Sequence, residues 1–185
     1  MTITLLLLVV PFLLFGMALY FYPVMVRKRL DHIKIEWQKS NIPLDKIRKL
    51  LKRYPSKYWI TSDDERKFYD SLPDYVTLNR GGSIREISST FGLSWTTRLG
   101  TAEHYAYKDR IEGRCVYRVV VPKSEIRAIP IPDTLIEIMI LNPVGVEIIS
   151  TEPTEAFYQY EEELERCRQK TRQAVEDVLK LLKIR

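Results

Sequence analysis

The first 26 residues are almost entirely apolar, and no charged residue occurs between Ile3 and Val26. About 20 apolar residues, each adding roughly 1.5 Å to a helix, are enough to cross the hydrocarbon core of a bilayer. The segment lacks the basic start and the small-x-small cleavage site of a secretory signal peptide. The pattern therefore predicts a single transmembrane helix, which Pro11 would kink without preventing.

A basic cluster, Arg27 to Arg29, follows this apolar segment, and Tyr20 and Tyr22 precede the cluster as an interfacial aromatic belt would. Because basic flanks favour the cytoplasmic side, the remaining chain is predicted to face the cytosol. The net charge of +5 suits a surface beside anionic lipid headgroups. Nucleic acid is disfavoured as a partner, since the basic residues are spread over helices that also carry Asp and Glu.

A chain of 185 residues has room for one ordinary domain with accessory segments. Helical spacing of apolar residues predicts a helix from Leu44 to Tyr54, which Pro55 ends. Ser62, with Glu65 three residues later, predicts a second helix that begins with a capping box. The predicted organisation is a membrane anchor with its basic stop (1–29), juxtamembrane helices (30–74), a β-rich domain (75–152) and a C-terminal helix (153–185).

Strand-like runs begin at Tyr75, where the helical spacing ends. They cover Tyr75 to Asn79, Arg114 to Val121, Arg127 to Ile131, Leu135 to Leu141 and Val144 to Ser150. From Thr154 to Arg185 the chain lacks Gly and Pro, and apolar or small residues alternate three and four positions apart. That spacing is typical of a coiled-coil seam. Packing on its own domain and self-association into a homo-oligomer both remain open for this helix.

The cysteines and histidines give no sign of a metal site. Cys115 and Cys167 stand far apart without a CxxC spacing, and His32 and His104 are isolated from them and from each other. A zinc site needs closely spaced ligands, and a disulfide framework needs several cysteine pairs. The sequence therefore indicates neither.

Three short motifs occur in order within the β-rich region. A strand-like run ends in an arginine followed by two glycines (VTLNRGGS, Val76 to Ser83), and a Ser-Trp-Thr cluster (GLSWTT, Gly92 to Thr97) precedes the helix-like run LGTAEHYA. A glutamate then lies in an apolar strand (GVEIIS, Gly145 to Ser150). This order resembles the Arg…Ser-x-Thr…Glu signature of ADP-ribosyltransferase-like domains in bacterial and phage proteins. The resemblance covers about half of the chain.

The resemblance implies an α+β fold with a mixed or antiparallel split sheet and flanking helices, here preceded by one transmembrane helix and followed by a long C-terminal helix. It implies ADP-ribose transfer from NAD to a macromolecular acceptor, which the sequence does not identify. Arg80, Ser94 and Glu147 would be catalytic. Arg80, Gly81, Ser94, Thr96 and Tyr105 would bind NAD, with Arg80 on the diphosphate or ribose and Tyr105 near the nicotinamide.

Each of these residues also has an ordinary interpretation. Arg80 is compatible with a surface arginine at a strand end, Tyr105 with a core aromatic, and Glu147 with a solvent-facing position on a one-sided sheet. The hypothesis requires Arg80, Ser94 and Glu147 to converge on one cleft. Gly145 stands where arginine-modifying members carry Glu or Gln, so the resemblance does not imply an arginine acceptor. An inactive domain of the same fold, serving as a membrane-tethered binding or assembly module, is the alternative.

Overall fold

The computed structural model of the chain describes residues 20–37, 42–84, 92–130 and 137–183. Within these residues it is an α+β fold with two small antiparallel sheets and a long C-terminal helix. The helices are α1 (20–37), α2 (Leu44–Arg53), α3 (Asp63–Ser71), α4 (Leu99–Tyr107) and α5 (Glu155–Lys183). The strands are β1 (Tyr75–Ser83), β2 (Ser94–Trp95), β3 (Arg114–Pro122), β4 (Ile126–Ala128), β5 (Ile138–Ile140) and β6 (Glu147–Ser150).

The first sheet has the strand order β1-β3-β6, and the second sheet has the order β2-β5-β4. Strands β1 and β3 pair along their whole length, from Tyr75 opposite Pro122 to Ser83 opposite Arg114. The sheets are joined where Asn79 and Thr96 exchange two backbone hydrogen bonds of 2.7 and 2.9 Å. This bridge holds Arg80, the residue after Asn79, beside β2.

The main core lies between the two sheets. Alternating residues of β1 and β3 face it, because successive side chains of a strand point to opposite faces. Its buried members from both sheets include Val76, Leu78, Tyr117, Val119, Trp95, Ile126, Ile138 and Ile140. Residues of α3, among them Phe68 and Tyr69, pack against the edge of this core. Arg80 continues the inward-facing series of Val76 and Leu78 and therefore points toward the second sheet.

Helices cover the outer face of each sheet. On the second sheet, a separate apolar cluster joins residues of α1 and α2, such as Leu30 and Leu51, with Met139 of β5. On the first sheet, α4 packs so closely that a Cβ added to Gly81 would lie 2.3 Å from the Ala102 carbonyl oxygen. Gly81 is therefore required for the contact between β1 and α4, because any side chain would meet the helix backbone.

The predicted fold class included a transmembrane helix, and the structure corrects that part of the prediction. None of the helices in the described ranges is both long enough and apolar enough to cross a membrane. Residues 3–19 of the predicted span lie outside the described ranges. From residue 20 the helix runs through the expected basic stop to residue 37, and Val26 is buried against the domain.

Several local predictions are confirmed. Helix α2 ends at Arg53 before Pro55, and α3 begins with a complete capping box between Ser62 and Glu65. The C-terminal helix is present as α5, and its first turns pack on α4, where Gly100 meets the Ala156 carbonyl oxygen. From Glu165 to Leu182 every residue of α5 is exposed. Most of α5 therefore extends beyond the domain.

Candidate functional site

Arg80 lies on the inner face of the first sheet, where it reaches the neighbouring strand of the second sheet. Its Nη1 donates a hydrogen bond of 2.9 Å to the backbone carbonyl of Ser94. Its guanidinium occupies the space beside Gly92, where a Cβ would lie 2.5 Å from Nη2. Gly92, the first residue of the GLSWTT motif, therefore leaves room for the Arg80 guanidinium.

Ser94 connects Arg80 to a carboxylate. Its backbone pairs with Met139 of β5, and its side-chain hydroxyl donates a hydrogen bond to Oε1 of Glu137, the residue before β5. The indole Nε1 of Trp37, at the end of α1, donates to the same oxygen at 3.2 Å. Ser94 therefore links two charged groups: its backbone carbonyl accepts from the Arg80 guanidinium, and its hydroxyl donates to the Glu137 carboxylate.

Tyr105 lies on α4, the helix that packs on the outer face of the first sheet beside Gly81. Its ring is partly exposed, and Lys108 lies over its face at 5.3 Å from the ring centroid. Burial raises the pKa of the Tyr105 phenol, and the neighbouring Tyr160 and the Glu137 carboxylate raise it further. The phenol is therefore protonated at neutral pH.

Glu147 does not join Arg80 and Ser94. Tyr117 of β3 pairs with Arg80 on one side and with Ile148 on the other, so these three residues share the inner face. Arg118 pairs in the same way with Asn79 and Glu147, which places Glu147 on the opposite face, exposed to solvent. The expected convergence of Arg80, Ser94 and Glu147 is not found, because the strand register separates the first from the last.

Gly81 and Thr96, which were also predicted to bind NAD, make contacts within the protein. Gly81 faces α4, and the backbone of that helix fills the space in which a ligand was expected to approach. Thr96 is buried, and its hydroxyl accepts a hydrogen bond of 3.1 Å from the backbone N–H of Arg98, just before α4. Both contacts hold α4 against β1.

Sequence reasoning missed Glu137 and Trp37. Glu137 stands in the run LIEIMIL, Leu135 to Leu141, and is as conspicuous there as Glu147 is in its own strand. An acidic residue in a buried apolar strand is costly without a partner, and that argument applies to both glutamates. The strand pairing that brings β5 beside Ser94 distinguishes them. No sequence signal pointed to Trp37, which lies 100 positions from its acceptor.

The site combines a permanent positive charge with a carboxylate held by hydrogen bonds. Arg80 presents a planar, always charged fork that suits phosphate oxygens, and Glu137 presents an anion that would stabilise a developing positive charge. Such an arrangement is suited to a substrate with an anionic part and a centre that becomes cationic during reaction.

No protein-family model matches this chain, and neither does a curated protein or a solved structure. The resemblance to ADP-ribosyltransferase-like domains therefore rests on the sequence motifs that carry it.

Proposed function

We propose that this protein cleaves NAD and transfers its ADP-ribose to an acceptor, with Arg80, Ser94 and Glu137 as the central residues. The observation that supports the proposal is the link through Ser94, whose carbonyl accepts from Arg80 and whose hydroxyl donates to Glu137. The chain order arginine, serine, glutamate that the resemblance implies is kept when Glu137 takes the last position. Glu147 is not part of this proposed site.

In the proposed reaction, the bond between ribose C1′ and the nicotinamide nitrogen breaks, and its electron pair leaves with nicotinamide. The ribose becomes oxocarbenium-like, and the Glu137 carboxylate stabilises its positive charge. A nucleophile of the acceptor then bonds to C1′ and loses its proton to solvent. Arg80 holds the diphosphate through charge-assisted hydrogen bonds.

Tyr105 is the residue that the resemblance places near the nicotinamide. Its ring belongs to α4 and is exposed. The residue two positions before Glu137 is Leu135, where arginine-modifying members of the family carry Glu or Gln. An arginine side chain is therefore not the acceptor that this proposal favours.

The test is incubation of the full chain with NAD labelled in its adenylate part, with and without cell extract. Release of nicotinamide measures cleavage, and label retained on macromolecules measures transfer. Loss of both in Arg80→Ala, with an unchanged circular dichroism spectrum, would support the proposal. A wild-type chain that neither binds nor cleaves NAD would refute it.

Assembly through α5 is the second candidate function, and one observation favours it. The end of α5 carries large apolar side chains that are 52 to 68% exposed, namely Val175, Val178, Leu179, Leu181 and Leu182. A long helix with such a stripe is stabilised when another apolar surface covers it. The spacing of Thr171, Ala174, Val178 and Leu181 matches a heptad seam, so we infer a second copy of this chain as the partner.

Sedimentation equilibrium of the wild-type chain and of the double variant Val178→Glu/Leu181→Glu tests the assembly. A wild-type dimer that the variant converts to a monomer is the expected result. A monomeric wild type at all concentrations would contradict it. Because these residues lie far along α5 from its contacts with α4, the variant should leave NAD cleavage unchanged.

A further inference from the structure

The position of Trp37 gives α1 a role that its sequence did not indicate. Trp37 is the last described residue of α1, and its indole N–H donates to Glu137 Oε1 at 3.2 Å. The hydroxyl of Ser94 donates to the same oxygen. An indole nitrogen can only donate, so this contact selects an acceptor such as a carboxylate.

The helix that carries Trp37 is firmly attached to the domain. Leu30 and Ile33 are buried in the cluster shared by α1, α2 and the second sheet. Lys34 is also buried, and its Nζ lies 2.7 Å from Glu65 Oε1 and 2.8 Å from the Trp59 carbonyl oxygen. Leu30, Ile33, Lys34 and Trp37 have the spacing i, i+3, i+4 and i+7, which places them on one face of the helix. The contacts of Leu30, Ile33 and Lys34 thus also fix where Trp37 lies.

Packing alone does not account for a tryptophan at this position. Trp37 is only partly buried where it packs against that cluster. What the indole adds is a donor aimed at one oxygen of Glu137. Two donors on Oε1, from Trp37 and Ser94, restrict rotation of the carboxylate.

We infer that Trp37 is a positioning residue for Glu137. Helix α1, which holds Trp37 in place, is therefore needed for the proposed activity. This inference rests on the proposed function, in which Glu137 stabilises the cationic ribose. Trp37 acts through Glu137 and need not touch NAD. Its loss should therefore lower kcat for nicotinamide release and leave KM for NAD nearly unchanged.

The contact itself can be tested without catalysis. The chain has three tryptophans, and the indole N–H signals of the ¹⁵N-labelled full chain are assigned by single Trp→Phe variants. Glu137→Gln should shift the Trp37 signal strongly, because a carboxylate acceptor becomes a neutral amide. The Trp95 signal should move little, since that indole donates to the Gly92 carbonyl oxygen. An unmoved Trp37 signal would overturn the inference.

The catalytic consequence is tested with Trp37→Phe. Loss of a hydrogen bond to a charged group should lower kcat about 10-fold. The matched control is Trp59→Phe, which removes an indole hydrogen bond of the same 3.2 Å length, donated to the Tyr54 carbonyl oxygen. The control should keep wild-type kcat. If Trp37→Phe keeps the kcat of the wild type, the inference is overturned. If the unmodified chain does not react with NAD at all, the proposed function is refuted, and the indole N–H signals alone decide whether Trp37 contacts Glu137.

Discussion

The guanidinium of Arg80 lies so close to Gly92 that a Cβ at residue 92 would stand 2.5 Å from Nη2 and 2.6 Å from Cζ. Gly92→Ala should therefore displace the guanidinium from its contact with Ser94. Because Arg80 is proposed to hold the diphosphate, and a hydrogen bond to a charged group contributes about 1.5–3 kcal/mol, losing its contact with NAD should raise KM for NAD about 10-fold or more. Steady-state kinetics of nicotinamide release measure the change.

The control for Gly92→Ala is the same substitution in an Arg80→Ala background. Because Arg80→Ala is expected to be inactive, the two backgrounds are compared by their free energies of unfolding. In Arg80→Ala the added methyl group meets no guanidinium, so it should change stability less than in the wild-type background. An equal loss of stability in both backgrounds would mean that Gly92 acts independently of Arg80.

Glu137→Gln and Glu147→Gln are a matched pair that distinguishes the two glutamates. The first removes the charge beside Ser94 and should lower kcat about 100- to 1000-fold, the range for losing one electrostatic contact to a transition state. The second changes an exposed side chain on the opposite face of the first sheet and should leave kcat unchanged. The reverse result would return the catalytic role to Glu147.

Gly81→Ala should destabilise the fold. The added Cβ would lie 2.3 Å from the Ala102 carbonyl oxygen and 2.5 Å from the Ala106 nitrogen, both backbone atoms of α4. Forcing such an overlap costs about 1–3 kcal/mol, which urea denaturation would detect. Unchanged stability with weakened NAD binding would instead support the ligand-binding role expected from the sequence.

Lys34→Met should destabilise the attachment of α1. It leaves the buried Glu65 carboxylate without the ammonium group that lies 2.7 Å away, and loss of one member of a buried ion pair costs about 3–5 kcal/mol. The double variant Lys34→Met/Glu65→Gln should recover part of this loss, because it removes the uncompensated charge. Chemical denaturation of the wild type, Lys34→Met, Glu65→Gln and the double variant gives the coupling. Additive losses would show that the pair is not coupled.

Alkaline pH should weaken the packing of α4. Burial raises the pKa of Tyr107, whose hydroxyl lies 3.2 Å from the Ser150 Oγ. A pKa raised in the folded state means that the folded protein holds the proton longer, so stability falls as the pH rises from about 10 through the folded pKa. Tyr107→Phe should reduce this fall in the free energy of unfolding. An identical pH dependence in wild type and variant would contradict the assignment.

Much of the fold was predictable because its signals are local. Ser62 and Glu65 form a capping box through contacts three residues apart, and Pro55 follows the end of α2. Both features depend on neighbours within a few positions along the chain. The order of Arg80 and Ser94 in their motifs was also visible, but their contact spans 14 positions and depends on how the two sheets meet.

The choice between the glutamates required the tertiary structure, because Glu137 and Glu147 both occur in apolar strands and only strand pairing brings one of them to Ser94. The same holds for α1, where an uncharged run ahead of a basic cluster predicted an anchor ending at Val26. In the folded protein Val26 and Leu30 share one buried face of a continuous helix, and Trp37 at its end meets Glu137. Local patterns report whether a residue suits a helix or a strand, but contacts across a hundred residues depend on register and packing, which no short window of sequence contains.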